Sequence, residues 1–402
     1  MKLLYIAWLL ILCLDANSQK LLKGVVVDEE KNKPIPDASV FLNTTSFGTV
    51  TNKQGSFELV IPAGKYELIV SSIGYDTYNQ TINTDNVPDF IAIKLKTKSQ
   101  LMETVVVEPF EKDGWEKWGK FFLESFIGTS ANSLNCTIKN KDVIHFRNSK
   151  KTNELVAVAD EPLIIENKAL GYTLRYQLEQ FNYNFKSHYL LYVGYPFFQP
   201  MKGGGGRQKR WEKRRDEAYY GSIMHFMRAV YRNKINEEGF EIRALKKIPN
   251  KEKQRVKLAY SSNMHKVKNS NGTTTIAHIN KDTADYYDRI LKQGDYIDIL
   301  AKNLLAGDSI AYAVDSTTAG LEFKDYLLVI YKNKFAPMEY RQQFPDNGAA
   351  MMSQITLTTG NPVEIEANGS YFDPINLLST GYWAWSEKIA NMLPFDYKPS
   401  KR

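Results

Sequence analysis

Gly48-Thr49-Val50-Thr51-Asn52 followed by Gly55-Ser56-Phe57-Glu58-Leu59 decides the fold of the N-terminal region. Glycines bracket a strand in which Phe57, Leu59 and Ile61 share one face and Glu58 and Val60 take the other. That period of two is what a strand packed on one side and wet on the other requires. Working outward, Lys23-Gly24-Val25-Val26-Val27 precedes a polar turn ending Pro34-Ile35-Pro36, and Tyr66, Leu68 and Val70 repeat the alternation. So do Ile91, Ile93 and Leu95 against Ala92 and Lys94, after Ile73-Gly74-Tyr75. Gly55 and Gly64 fall where tight turns demand a positive φ. The stretch 19–98 is therefore predicted to be an all-β sandwich of about seven strands.

Ahead of it, Lys2, the apolar run Leu3–Leu14 and the small-x-small triplet Ala16-Asn17-Ser18 have the form of a signal peptide, cleaved near Ser18. Cys13 would leave with it, and Cys136 alone cannot form an internal disulfide. Leu12 before Cys13 argues against lipid modification. No later stretch supplies the roughly 18 consecutive apolar residues of a membrane-spanning helix. The net charge of +7 is mixed along the chain, and 24 Tyr among 12% aromatic residues fit β-rich structure.

The combination Gly24-Val25-Val26, Pro36, Val40, Gly48-Thr49-Val50-Thr51-Asn52, Gly55-x-Phe57-x-Leu59 and Ile73-Gly74-Tyr75 resembles the carboxypeptidase regulatory-like domain. The resemblance implies a prealbumin-like sandwich, common in exported proteins of the Bacteroidota and at the N-termini of their TonB-dependent transporters. It implies no peptidase activity. Leu101-Met102-Glu103-Thr104-Val105-Val106-Val107 is similar to the segment between this module and the plug in those transporters. Residues 99–113 read as a linker strand, and the stretch after Val107 is too short for a transporter barrel with its plug.

Residues 114–398 are predicted to form a second domain of α+β character. Trp115, Trp118, Phe121, Phe122 and Phe126 recur at helical spacing. Tyr189–Val193 reads as a strand ended by Gly194-Tyr195-Pro196, Gly203–Gly206 as a flexible tip, and Arg210 to Asn236 as one long helix. Glu161-Pro162-Leu163-Ile164-Ile165-Glu166-Asn167, Gly221-Ser222-x-x-His225-Phe226 and Gly381-Tyr382-Trp383 resemble Bacteroidota proteins that join such a sandwich to a domain of unassigned function.

Metal chemistry finds no support. None of His145, His188, His225, His265 and His278 has Glu three residues later, and His-Glu-x-x-His is absent. No metal or cofactor is expected. Ser222 and His225, three apart on one helical face, are candidates for nucleophilic catalysis, although the Gly-x-Ser-x-Gly elbow is missing. The preferred reading is a packed helix of Met224, His225, Phe226 and Ala229, with Ser222 allowing close approach. The basic run Arg207–Arg215, with Arg210, Arg214, Arg215 and Tyr219 as candidate ligand-binding residues, could grip an anionic polymer or lipid headgroups. An export signal argues against nucleic acid as the partner.

The sequence thus predicts a multidomain exported protein, periplasmic or peripherally associated with the outer membrane. Its predicted role is non-catalytic binding or assembly, with an envelope protein or glycan as partner. The alternative is a peptide or glycan hydrolase working through Ser222 and His225.

Overall fold

The computed structural model describes residues 19–98, 109–263, 266–268, 274–276 and 281–400. The leader at 1–18 and the Leu101–Val107 segment lie outside the described residues.

Seven strands build the N-terminal unit: β1 (Lys20–Asp28), β2 (Ser39–Leu42), β3 (Gly48–Val50), β4 (Ser56–Ile61), β5 (Lys65–Ser71), β6 (Tyr78–Asn83) and β7 (Phe90–Leu95). They form two sheets, ordered β4-β1-β7 and β3-β2-β5-β6. The β1–β7 pair is parallel, and the other pairs are antiparallel. Between the sheets lie Leu22, Val26, Val40, Leu42, Phe57, Leu59, Ile61, Leu68, Val70, Ile93 and Leu95. On β4 buried and exposed residues alternate without exception, as the sequence predicts. Gly55 has φ +71°, and a Cβ there would meet the Val26 carbonyl oxygen at 2.5 Å.

One sheet departs from the simple pattern. Phe41 and Ile69 point away from the sandwich core yet are buried, so β5 has no wet face over its second half. The cause is the rest of the chain, which covers the outer face of the four-stranded sheet. Phe41 stacks on Phe197 at 5.3 Å, and only a gap of about 10 Å³ remains between the surfaces. Around it, Thr44 N–H donates to the Pro196 carbonyl and Phe395 N–H to the Thr44 carbonyl, both at 2.8 Å. Asp396 accepts from both the N–H and the hydroxyl of Ser46.

The second region mixes helices and sheets. Helix α1 (Gly114–Phe126) lays Phe122 and Phe126 on a six-stranded sheet formed between Cys136 and Pro200. The strand Tyr189–Pro200 does not stop at Gly194-Tyr195-Pro196 as the sequence suggested. It runs through them, paired with Tyr172–Asn184 across a bulge at Leu178/Gln180. Proline is tolerated because this strand has a ladder partner on one side only. A five-stranded antiparallel sheet comes next, ordered Tyr296–Leu300, Phe240–Pro249, Tyr326–Phe335, Ala350–Leu357 and Leu377–Gly381.

The predicted long helix is two helices. Helix α2 (Gly205–Tyr219) ends, the chain turns at Gly221 with φ +90°, and α3 (Ile223–Tyr231) begins. Gly205 and Gly206, read from sequence as part of a loose tip, form the first turn of α2. Helices α4 (Lys251–Asn263) and α5 (Lys281–Lys292) come after it, meeting through Val256, Tyr287 and Ile290. Two short helices, α6 (Met338–Gln343) and α7 (Tyr382–Ser386), lie nearer the C-terminus. No helix among the described residues is long and apolar enough to cross a membrane.

Candidate functional site

The break at Gly221 creates the site. A Cβ on Gly221 would lie 2.5 Å from Met351 Cε and 2.8 Å from the Tyr331 ring, so only glycine fits this turn. The Trp383 indole N–H donates to the Gly221 carbonyl at 2.8 Å and fastens α7 to the turn. Ser222 is therefore not on the helix face the sequence suggested. It is the N-cap of α3, with extended backbone, and its Oγ accepts the His225 backbone N–H at 3.1 Å.

His225 lies behind this cap, 1% exposed, ringed by Tyr219, Tyr220, Phe240 and Tyr331 at centroid distances of 4.8 to 5.6 Å. Its Nδ1 accepts the Gly221 N–H at 3.1 Å, which leaves Nε2 as the protonated nitrogen, donating to Glu238 at 3.1 Å. Burial lowers its pKa, opposed by Glu238. The lone pair a general base would need is therefore spent on the backbone. His225 thus cannot serve Ser222 as its general base. Asp216 does not supply the missing acid, because it accepts from the Tyr397 hydroxyl and the Ser400 N–H.

Ser222 nevertheless faces open space. A cleft of about 450 Å³ opens over the α2–α3 break, within the roughly 300–1,000 Å³ range of small-molecule sites. Along one wall α2 presents Arg210, Lys213 and Arg214, all exposed. Lys334, Pro337 and Glu339 also line it, with Tyr220, Ser222, Met351, Tyr382 and Glu387 around its floor. The rim at Ser130–Asn132 is held by Asn391, which accepts from Ser130 and Asn132, while Asn132 accepts from Arg214 at 3.0 Å.

The candidate residues of the basic run divide between surface and core. Arg210 and Arg214 reach the cleft. Arg215 instead donates to the Leu170 and Gly171 carbonyls and lies 4.0 Å over the Tyr172 ring. Tyr219 is 2% exposed, packed against His225 and under the Arg228 guanidinium. Those two residues hold the fold together. Helical periodicity explains the division, since Arg210 and Arg214 are one turn apart and Arg215 is rotated toward the sheet.

Glu387 gave no sequence signal. It sits just past the last turn of α7, and its Oε1 accepts the Ile223 N–H at 3.2 Å from 164 residues away. Among the described residues its Oε2 makes no hydrogen bond to protein. Part of its surface opens to the cleft while its carboxyl sits deep among protein atoms, and that burial raises its pKa to about 7. Helix-end N–H groups favour the charged form, but the loss of water outweighs them. Next to it, burial lowers the pKa of Lys388 to about 8.

Among the described residues no group of three or more His, Cys, Asp or Glu side chains is placed to hold a metal ion. Of the histidines, His145 pairs with Asp160, His188 lies near Tyr183, and His265 and His278 fall outside the described residues.

Residues 22–107 match the family model of the CarboxypepD_reg-like domain, a match that runs past the expected boundary at 98 into Leu101–Val107. The TonB-dependent receptor P39 of Formosa agariphila is 32% identical over 93 residues, 23% of this chain and 9% of the receptor. Carboxypeptidase E of Caenorhabditis elegans is 36% identical over 70 residues, 16% of this chain and 15% of that enzyme. The chain thus spans less than a sixth of either relative. Among solved structures, a membrane-associated protein of unknown function from Bacteroides fragilis covers 86% of this chain at 10% identity, with a TM-score of 0.17. A DUF3823 family protein from Bacteroides ovatus covers 87% at 7% identity, with the same TM-score. A score that low does not amount to a shared overall fold. The N-terminal unit of this multidomain chain is a carboxypeptidase regulatory-like domain, a non-catalytic module.

Proposed function

We propose that this chain is an exported, non-catalytic binding protein of the cell envelope, and that the cleft over the α2–α3 break takes a negatively charged ligand. The observation that carries the reading is the wall of three exposed cations, Arg210, Lys213 and Arg214, beside a floor of side chains. Clustered like charges facing a cleft focus the local potential and raise the concentration of an anion there. The regulatory-like domain and the chain's likeness to part of a TonB-dependent receptor support the envelope location. The sandwich, clamped through Thr44, Ser46 and Phe41, would serve as a rigid mount, with an envelope protein or glycan as partner. The hydrolase alternative at Ser222 loses ground because Nδ1 of His225 is already occupied.

Dextran sulfate titrated onto the chain without residues 1–18 tests the reading. Affinity is expected to fall at least about tenfold between about 50 and 500 mM NaCl and to be lost in Arg210→Ala/Lys213→Ala/Arg214→Ala. Salt-insensitive binding that survives the triple substitution would overturn it.

A further inference from the structure

The groups at the floor of the cleft say more about the ligand than the charge at its wall. Three features bear on its class. First, three of the four lining cations, Arg210, Lys213 and Arg214, stand together on α2, so the positive charge that a ligand meets is concentrated there. Lys334 donates to the Glu217 carbonyl of α2, and Glu339, also in the lining, is acidic. Second, the floor offers hydroxyl-like chemistry. Ser222 Oγ uses a lone pair to cap α3, which leaves its O–H directed elsewhere. Glu387 uses Oε1 on the Ile223 N–H and the Ser386 hydroxyl, and among the described residues its Oε2 has no protein hydrogen bond. Third, Tyr220 and Met351 lie among these polar groups and give the floor an apolar patch.

Vicinal hydroxyls both donate and accept, as a partly protonated carboxyl beside a serine does. The C–H face of a pyranose matches an aromatic and thioether patch. Guanidinium groups hold carboxylate or sulfate through paired N–H donors. An acidic peptide would satisfy the cation wall equally well. Its backbone, however, carries separate N–H donors and C=O acceptors and no vicinal hydroxyls that both donate and accept, which is what Glu387 beside Ser222 matches.

We infer that the ligand is an anionic saccharide: its acid group sits on Arg210, Lys213 and Arg214, its hydroxyls meet Glu387 and Ser222, and its ring lies over Tyr220 and Met351. This rests on the reading of the cleft as an anion site given above. Glu387 is then the residue that separates a sugar acid from other anions. Its carboxyl titrates near neutral pH, so it presents an O–H in acid solution and a repelling charge in base. Arg210, Lys213, Arg214, Lys334, Glu217, Glu339, Tyr220 and Tyr382 also line the cleft, while Tyr192 and Tyr371, whose pKa burial raises, are close enough for Glu387 to raise it further.

Calorimetric titration of the full exported chain with three trimers decides the matter: trigalacturonate, neutral maltotriose and tri-aspartate. The first is expected to bind, maltotriose to bind at least about tenfold more weakly, and tri-aspartate likewise. Trigalacturonate binding should weaken roughly tenfold from about pH 6 to about pH 8, and Glu387→Gln should flatten that dependence. The isosteric amide keeps an oxygen for the Ile223 N–H, and an unchanged melting temperature at pH 6 confirms folding. Equal binding of tri-aspartate and trigalacturonate, or an unaltered pH profile in Glu387→Gln, overturns the saccharide assignment while leaving the anion site standing. Absence of binding by every anion, dextran sulfate included, removes the anion site itself.

Discussion

The N-terminal sandwich and the aromatic region behind it bury their interiors by different rules. In the sandwich, β4 alternates residue by residue, and its core is chiefly aliphatic. Behind it, Phe122, Phe126, Phe146, Phe181, Phe226, Phe240 and Trp383 do the filling, and polar groups such as His225, Arg228 and Asn167 are buried with them. Those polar groups are hydrogen-bonded: Arg228 to the Asn368, Phe395 and Tyr397 carbonyls, and Asn167 to the Ala390 carbonyl and the Leu170 N–H. Buried polar groups cost free energy unless paired, so each ties distant parts of the chain to one arrangement. A pleated surface needs only a pattern, whereas a cleft needs specific partners.

The largest effect should come from the turn that makes the cleft. Gly221→Val combines a disfavoured φ with collisions against Met351 and Tyr331. It is expected to lower stability by at least about 3 kcal/mol in denaturant unfolding. A loss below about 1 kcal/mol would show that the α2–α3 break tolerates side chains and is less rigid than the contrast with the sandwich implies.

Core truncation sharpens the contrast between the two interiors. Phe122→Ala should cost about 3–5 kcal/mol and Leu59→Ala about 2–5 kcal/mol. If the two regions unfold as one unit through the Phe41–Phe197 and Ser46–Asp396 contacts, both variants will move a single calorimetric transition. Phe197→Ala with Asp396→Ala should then split it, with the sandwich melting separately. Two transitions already present in the unsubstituted chain would break the picture of a clamped mount.

A smaller effect separates structure from chemistry at the α3 cap. His225→Ala leaves Glu238 and the Gly221 N–H without their partner and should cost about 1–3 kcal/mol. Ser222→Ala removes only an N-cap, about 1 kcal/mol. The hydrolase alternative would instead require an activity that Ser222→Ala abolishes while leaving the melting temperature nearly unchanged.

The smallest predicted effect is the pH dependence set by Glu387. Its folded pKa of about 7 lies above the ordinary 4.5, so the folded state holds the proton more tightly. The associated stability is fully present below about pH 4.5 and is lost as pH rises through about 7. Melting temperature should fall over that window, and Glu387→Gln should remove that part of the fall. An identical pH profile in the two proteins would place the Glu387 carboxyl in water.

The sequence by itself determined the sandwich. Period-two alternation on β4 and β7 and glycine at the Gly55 turn are local requirements, written residue by residue where they act. It also placed a helix at Gly114–Phe126 and a basic run on α2. Only the tertiary structure decided that Ile69 is dry on the outer face of β5, because the covering residues, Phe197 among them, are far away in sequence. Only it decided which arginines of one run face a cleft and which brace the core. Arg215 and Arg214 are adjacent in the chain, and the sheet beneath α2 separates their roles. Glu387 and Ile223 meet across 164 residues, and the burial that moves the Glu387 carboxyl toward neutrality comes from packing that no local pattern encodes.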